Sequence, residues 1–200
     1  MSLSKEVSPI ILADNEDPNE SLTPATISQR RICEILEQPL ESNSANSSSL
    51  EVTPSEDSQT ELELSITGPE FIRPILDGNP IKVSLQWNDR FLYLYYISGL
   101  NPVEFYTKAS GDESWLPANV IPSPAWGWLN RLNENLFGTK LVVSDLGDTE
   151  PDLQYVLSKE IFFERGLLER GFIGEIANFY HDLSLFFDRI EEALSDWSEE

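Results

Sequence analysis

The sequence has very few residues of the kinds that bind transition metals or form disulfides. Its 200 residues include one cysteine, Cys33, and one histidine, His181. A single cysteine excludes an internal disulfide and a cysteine-based zinc site, and a single histidine removes most other transition-metal geometries. The sequence therefore predicts no metal site, and its cysteine usage fits a reducing cytoplasm.

Aromatic residues are missing from the first third of the chain. The first is Phe71, so all 21 Phe, Trp and Tyr residues lie in the last 130 positions. Because aromatic side chains dominate core burial, a segment without them rarely offsets the entropy cost of ordering. We expect residues 1–66 to be acidic and largely disordered, and residues 67–200 to form one compact domain.

Basic residues are also scarce. The formal net charge is −22, with 13 acids against 3 bases in residues 1–66 and 22 against 10 in the rest. Such a chain is repelled by phosphate backbones and anionic lipid surfaces, which argues against nucleic-acid and membrane partners. No run of 18 apolar residues predicts a membrane span, and no apolar run of signal-peptide type occurs near the N-terminus.

One helix is predicted within the N-terminal third, near residues 24–38. Thr23 is a candidate cap, with Pro24 at the first helical position and Pro39 as the stop. Ile32, Ile35 and Leu36 form its apolar stripe. Two interpretations stay open: the helix docks on the domain, or it is a partner-binding motif that folds on contact.

The C-terminal two-thirds predicts an α+β domain. Strands Ile81–Trp87 and Phe91–Ile97 flank the turn-rich Asn88–Arg90, and the first alternates apolar and polar residues as in an antiparallel sheet with one buried side. Further predicted elements are a weak strand over Val103–Lys108, a helix over Ala125–Leu136, and strands over Lys140–Val143 and Leu153–Phe163. The order is β-β-(β)-α-β-β-α.

The last helix has the clearest pattern. Apolar pairs recur every seven residues from Phe172-Ile173 to Ala193-Leu194, with Ile176, Leu183, Ile190 and Trp197 midway. This spacing predicts a wide apolar stripe over about 25 residues, which needs a sheet or another helix to cover it.

Catalytic patterns are lacking. No Gly-rich phosphate loop follows a strand, and His181 lies in a helix interior beside the apolar stripe. The paired carboxylates are those expected by chance in so acidic a chain, so the sequence predicts no catalytic residues and no cofactor. A hydrolase using Asp112 or Glu113 is the alternative within the enzyme class.

Tryptophans concentrate around the proline-rich segment 101–128. Trp115, Trp126 and Trp128 either complete the core or provide exposed anchors for a partner, since interfaces favour Trp. With Ile32, Ile35 and Leu36, they are the candidate partner-binding residues.

Taken in order, these elements resemble the type III secretion chaperone-like fold, including the bacterial YbjN-type proteins. The resemblance covers about residues 69–195 and is carried by Leu129–Asn133, Gly138–Val143 and Phe172–Phe179. The long Ser-rich N-terminus departs from it. The resemblance implies an antiparallel sheet packed against a middle and a long C-terminal helix, in a small cytoplasmic protein, often dimeric, that binds other proteins and has no active site.

Composition and resemblance together predict a non-enzymatic protein-binding module, a chaperone-like adaptor or regulator. Its partner is another protein of unspecified identity, with a homodimer as one arrangement. A structural subunit of a larger assembly is the alternative.

Overall fold

The computed structural model describes residues 21–36, 50–66, 81–103, 105, 123–148 and 152–198. Within these ranges the bounds of three helices and eight strands are defined, and residues 102, 103 and 105 are also helical. The helices are α1 (Gln29–Leu36), α2 (Ser123–Asn133) and α3 (Glu169–Ser198). The strands are β1 (Ser21–Leu22), β2 (Leu50–Pro54), β3 (Glu61–Ile66), β4 (Ile81–Trp87), β5 (Phe91–Ile97), β6 (Lys140–Asp145), β7 (Leu153–Phe162) and β8 (Leu167–Leu168).

Six of the strands form one antiparallel sheet in the order β2-β3-β4-β5-β7-β6. The two short strands β1 and β8 pair with each other in a separate antiparallel ribbon. The predicted fold class, an antiparallel sheet with a middle and a long C-terminal helix, is confirmed.

Strands β4 and β5 have the predicted bounds. The turn between them is set by Asn88, whose Oδ1 accepts hydrogen bonds from the backbone N–H groups of Arg90 at 2.8 Å and Phe91 at 3.2 Å. Such an Asx arrangement closes a tight connection and so fixes the register of the hairpin. In β4 the odd-numbered residues from Ile81 to Trp87 are buried, as the alternation predicts.

Helix α3 covers one face of the sheet. Its 30 residues span about 45 Å at 1.5 Å per residue. Phe172, Phe179 and Phe186, spaced seven apart, are fully buried. Residues at this spacing lie on nearly the same side of a helix, so the predicted stripe is confirmed as core.

The middle of the chain differs from the prediction in two places. Helix α2 ends at Asn133 rather than at Leu136. Val103 and Phe105 are helical and buried, so the weak strand over Val103–Lys108 is wrong at these described residues.

The predicted boundary between residues 66 and 67 does not separate a tail from a domain. Strand β3 pairs with β4 along its whole length, from Glu61 opposite Gln86 to Ile66 opposite Ile81. Leu62 and Leu64 are completely buried. Aliphatic side chains therefore form the core here, and the absence of aromatic residues did not indicate this. Residues 1–20 and 37–49 lie outside the described residues.

Helix α1 is shorter than predicted and begins later. Its cap is Ser28, whose Oγ accepts a hydrogen bond from the N–H of Arg31 at 3.1 Å. Thr23 instead begins a separate turn, with its carbonyl accepting from the N–H of Ile27 at 2.9 Å. The docked interpretation of this helix agrees with the burial of Ile32, Ile35 and Leu36.

Polar contacts also attach α1 to the domain. Arg31 forms an ion pair with Glu169, a buried carboxylate at the start of α3. Gln29 donates through Nε2 to the backbone carbonyls of Ser58 at 3.2 Å and Glu61 at 3.0 Å. The helix is therefore held to both layers, the sheet and α3.

Candidate functional site: the open face of the sheet

The two faces of the sheet are separated by strand alternation. On β5 and β7 the buried Leu92, Leu94 and Tyr96 lie opposite Ile161, Lys159 and Leu157 and face the helices. The alternate positions form the other side, which we call the open face. On the four strands from β4 to β6 it comprises Lys82, Ser84, Gln86, Phe91, Tyr93, Tyr95, Ile97, Lys140, Val142, Ser144, Gln154, Val156, Ser158, Glu160 and Phe162.

The open face carries an aromatic strip made of Phe91, Tyr93, Tyr95 and Phe162. Phe91 lies directly opposite Phe162, with ring centroids 6.0 Å apart in an edge-to-face arrangement. Tyr93 and Tyr95 lie two residues apart on β5, with centroids at 5.6 Å. Phe162 is 65% exposed, so the strip reaches solvent.

An aliphatic cluster continues the strip across the sheet. Val156 lies between Ile97 of β5 and Val142 of β6 in the strand register. Val156 is buried, whereas Ile97 is 42% and Val142 40% exposed. Together the strip and this cluster place apolar surface on three neighbouring strands, β5, β7 and β6.

Polar residues on the β4 side are mostly bonded to one another. Gln86 donates through Nε2 to Glu61 at 3.0 Å and to the Tyr95 hydroxyl at 3.1 Å. Lys82 forms an ion pair with Glu63 at 2.9 Å. These bonds hold Tyr95 in place at the border between the polar and the aromatic parts.

The described helices lie on the opposite side of the sheet. Tyr96 packs on Phe187 of α3 with ring centroids 5.7 Å apart, and Tyr155 packs on Phe186 at 6.1 Å. Burial there raises the pKa of Tyr96 to about 12 and also raises the pKa of Tyr155. No described helix covers the aromatic strip.

The free edge of the sheet at β6 is blocked where β6 meets α2. The N–H of Leu141 donates to Oδ1 of Asn133 at 2.8 Å, and Nδ2 of Asn133 donates back to the carbonyl of Leu141 at 2.8 Å. A side-chain amide thus occupies backbone groups that an added strand would need. This blocking leaves the open face as a better candidate for a binding surface than the β6 edge.

The predicted partner-binding residues have different locations. Ile32, Ile35 and Leu36 are buried in the core, so they cannot meet a partner while α1 is docked. Trp128 packs between Phe105 and Tyr155, with centroids 5.5 Å from each. Trp126 is 44% exposed, and Trp115 lies outside the described residues.

Residues with catalytic potential are either dispersed or bonded to other parts of the fold. His181 is exposed, and its ring lies 5.6 Å from that of Phe137. Its neighbour Asp182 is fully buried and accepts hydrogen bonds from the N–H of Phe137 at 2.9 and 3.0 Å. Asp112 and Glu113, named for the hydrolase alternative, lie outside the described residues.

The described ranges contain neither a cluster of metal ligands nor a membrane-spanning helix. Within the described part of the chain, no group of three or more His, Cys, Asp or Glu side chains is arranged to hold a metal ion. None of the described helices has both the length and the apolar character needed to cross a bilayer.

Comparison with known proteins gives a distant likeness of fold. No protein-family model and no curated protein matches the sequence. Among solved structures, the chain is similar to the crystal structure of YbjN from E. coli, a proposed transcription regulator, at 10% identity and a TM-score of 0.43. The match covers 74% of this chain and 83% of that one.

Sequence reasoning missed the open face because β5 is apolar or aromatic at every position, a pattern that does not distinguish a strand buried on both sides from one with an uncovered side. A usable signal was present in β4, where Lys82, Ser84 and Gln86 alternate with buried residues. In the hairpin register Ser84 lies opposite Tyr95 and Gln86 opposite Tyr93. Tyrosines beside polar residues on a solvated face would have indicated an exposed aromatic surface.

Proposed function

We propose that this protein is a non-enzymatic protein-binding module, a chaperone-like adaptor or regulator, and that it binds its partner on the open face. The observation that carries the proposal is the aromatic strip, which lies on a sheet face without a covering helix among the described elements. Aromatic residues that are exposed together on a rigid sheet can bury a large area at low entropy cost.

The apolar residues of the open face are arranged as in a protein-binding surface and are not scattered singly. Interfaces commonly combine an apolar centre with a polar rim. On the open face the aromatic strip and the aliphatic cluster are bordered by Glu61, Gln86 and Lys82 on one side. Apolar patches of this kind on soluble proteins mark interaction sites.

The use of buried charges supports a non-enzymatic role. Lys159 is 5% exposed and is bonded both to the carbonyl of Phe137 at 3.1 Å and to Glu175 at 2.8 Å. Asp182 holds the N–H of the same residue, and Glu169 pairs with Arg31. These groups are engaged in holding loops and helices together.

The proposal is tested with two matched phenylalanines. Phe162 on the open face is 65% exposed, and Phe137, in the loop before β6, is 62% exposed. Tagged full-length wild type, Phe162→Ser and Phe137→Ser are used to capture proteins from a lysate of the native cell, and captured proteins are identified by mass spectrometry.

We expect a protein captured by wild type and by Phe137→Ser to be lost with Phe162→Ser. Circular dichroism and urea unfolding should show both variants folded, with stabilities within about 0.5 kcal/mol of wild type. Capture that is equal for all three proteins, or lost only with Phe137→Ser, would contradict the open face as the binding surface.

A further inference from the structure

One acidic side chain on the open face is unpaired among the residues that the structure describes. Glu160 is exposed, lies opposite Tyr93 in the strand register, and forms no ion pair with a described residue. The cross-strand pair of Tyr93 and Glu160 lies between the pair Phe91–Phe162 on one side and the pair Tyr95–Ser158 on the other. A free carboxylate is therefore placed within the aromatic strip.

The wider charge on this face is also acidic. Extending the register to β3 and β2 adds Glu61, Glu63 and Glu51 on the same side. The lysines there are Lys82, which is already paired with Glu63, and Lys140. An incoming surface thus meets apolar rings under a negative potential.

This potential disfavours two occupants that the apolar surface alone would admit. A second copy brings another chain with a net charge of −22 against this one. Segments of the same chain are also disfavoured as occupants of the open face, because acids outnumber bases in each stretch outside the described residues.

Nucleic acid is disfavoured by the same charge. Aromatic residues on a sheet face can stack with bases, as in single-strand binding proteins, but those proteins combine stacking with a positively charged groove. Here the charged residue that lies opposite a ring of the strip in the strand register is an acid, Glu160, across from Tyr93.

We infer that the partner presents a segment in which arginine or lysine alternates with apolar or aromatic residues. This inference rests on the proposed function. A guanidinium or ammonium group on such a segment pairs with Glu160 while lying over the faces of Tyr93 and Phe162, and the apolar residues cover Ile97 and Val142. Arginine suits this surface because it combines stacking with bonding to a carboxylate.

The inference is tested by selection from a random 12-residue peptide library displayed on phage. Full-length wild type is the target, and Phe162→Ser removes peptides that bind elsewhere. We expect the enriched sequences to be net basic and to contain apolar or aromatic residues. Binding of synthetic copies should weaken steeply with added salt.

Glu160→Gln and Glu191→Gln give a charge-matched pair. Each removes one negative charge, but Glu191 is exposed on α3, in the helix layer. We expect Glu160→Gln to weaken a selected basic peptide about two- to five-fold and Glu191→Gln to leave its affinity unchanged.

The remaining outcomes separate this inference from the proposed function. Enriched peptides that are neutral or acidic, or no Phe162-dependent enrichment, overturn the basic partner. Phe162-dependent protein capture decides the proposed function independently. Phe162-dependent binding of a 20-nucleotide oligothymidine, or a dimer in solution abolished by Phe162→Ser, also overturns the basic partner, in favour of nucleic acid or a second copy.

Discussion

The two faces of the β5–β7 pair are built from alternate residues of the same strands, yet charged groups on them have opposite environments. Lys159 and Glu160 are adjacent in sequence and lie on opposite faces. The ammonium of Lys159 is buried and bonded to Phe137 and Glu175, whereas the carboxylate of Glu160 is exposed and unpaired among the described residues. A buried charge such as that of Lys159 has to be paired within the fold. The exposed carboxylate of Glu160 is not used in this way and is therefore available to a partner.

Aromatic residues show the same contrast. On the covered face Tyr155 contacts Phe105, Trp128 and Phe186, so its ring is surrounded by other rings. The open-face strip consists of one edge-to-face pair and one tilted pair. Similar residue types therefore stabilise the fold on one side and provide unused contact area on the other.

The largest expected effect of breaking this contrast comes from a phenylalanine on the covered side. Phe186 of α3 is completely buried against the sheet. Phe186→Ala should therefore lower the free energy of unfolding by about 3–5 kcal/mol through lost burial and a cavity. Phe162→Ala, on the open face, should change it by less than about 0.5 kcal/mol. Urea unfolding measures both, and similar losses for the two would mean that the open face is packed in solution.

A smaller effect is expected where the helix layer buries a charge. Asp182 is fully buried and both carboxylate oxygens accept from the N–H of Phe137, while the carbonyl of Phe137 is held by Lys159. Phe137 is thus held through both its N–H and its carbonyl. Gly138 follows with a φ of 78°, a left-handed conformation that favours glycine.

Asp182→Ala should therefore cost about 1.5–3 kcal/mol, because it removes a charge-assisted bond and leaves a donor unpaired. Hydrogen exchange should also show faster exchange of the Phe137 amide. Asp188→Ala, an exposed change on the same helix, provides the control and should stay within about 0.5 kcal/mol. Equal effects of the two changes would show that the bond to Phe137 contributes nothing.

The covered face was largely predictable from the sequence, and the reason is periodicity. Alternation in β4 and the seven-residue pattern of α3 both arise from one side being buried, so burial could be inferred from each pattern. The strands before residue 67 were missed because order was judged from aromatic content. Glu61 to Ile66 in fact alternate acidic or polar with apolar residues, the period of a half-buried strand.

The open face was harder to predict because exposure depends on which elements do not meet it. Every residue of β5 is apolar or aromatic, and local sequence alone does not separate a strand buried on both sides from one with an uncovered side. The register with β4 distinguishes them. Pairing by way of the Asn88 turn places Tyr93 and Tyr95 on the polar side of β4.

The smallest expected effect concerns a single hydroxyl on the covered face. Tyr95 and Tyr96 are neighbours on β5: the Tyr95 hydroxyl accepts from Gln86 on the open face, while Tyr96 is buried against Phe187. Burial disfavours the charged form and raises the pKa of Tyr96 to about 12 in the folded protein, against about 10 when unfolded. The folded state therefore keeps a proton that the unfolded state loses, so this contribution is complete below pH 10 and disappears as the pH rises towards 12.

Tyr96→Phe isolates this contribution because it removes the hydroxyl and keeps the ring. At pH 7 the variant and wild type should have free energies of unfolding within about 0.5 kcal/mol of each other. Between about pH 9 and pH 11 wild type should lose about 1 kcal/mol more than the variant, as measured by urea unfolding at each pH. An equal loss in both proteins would mean that the hydroxyl of Tyr96 reaches solvent, and that the covered face is more open at this position than the packing against Phe187 indicates.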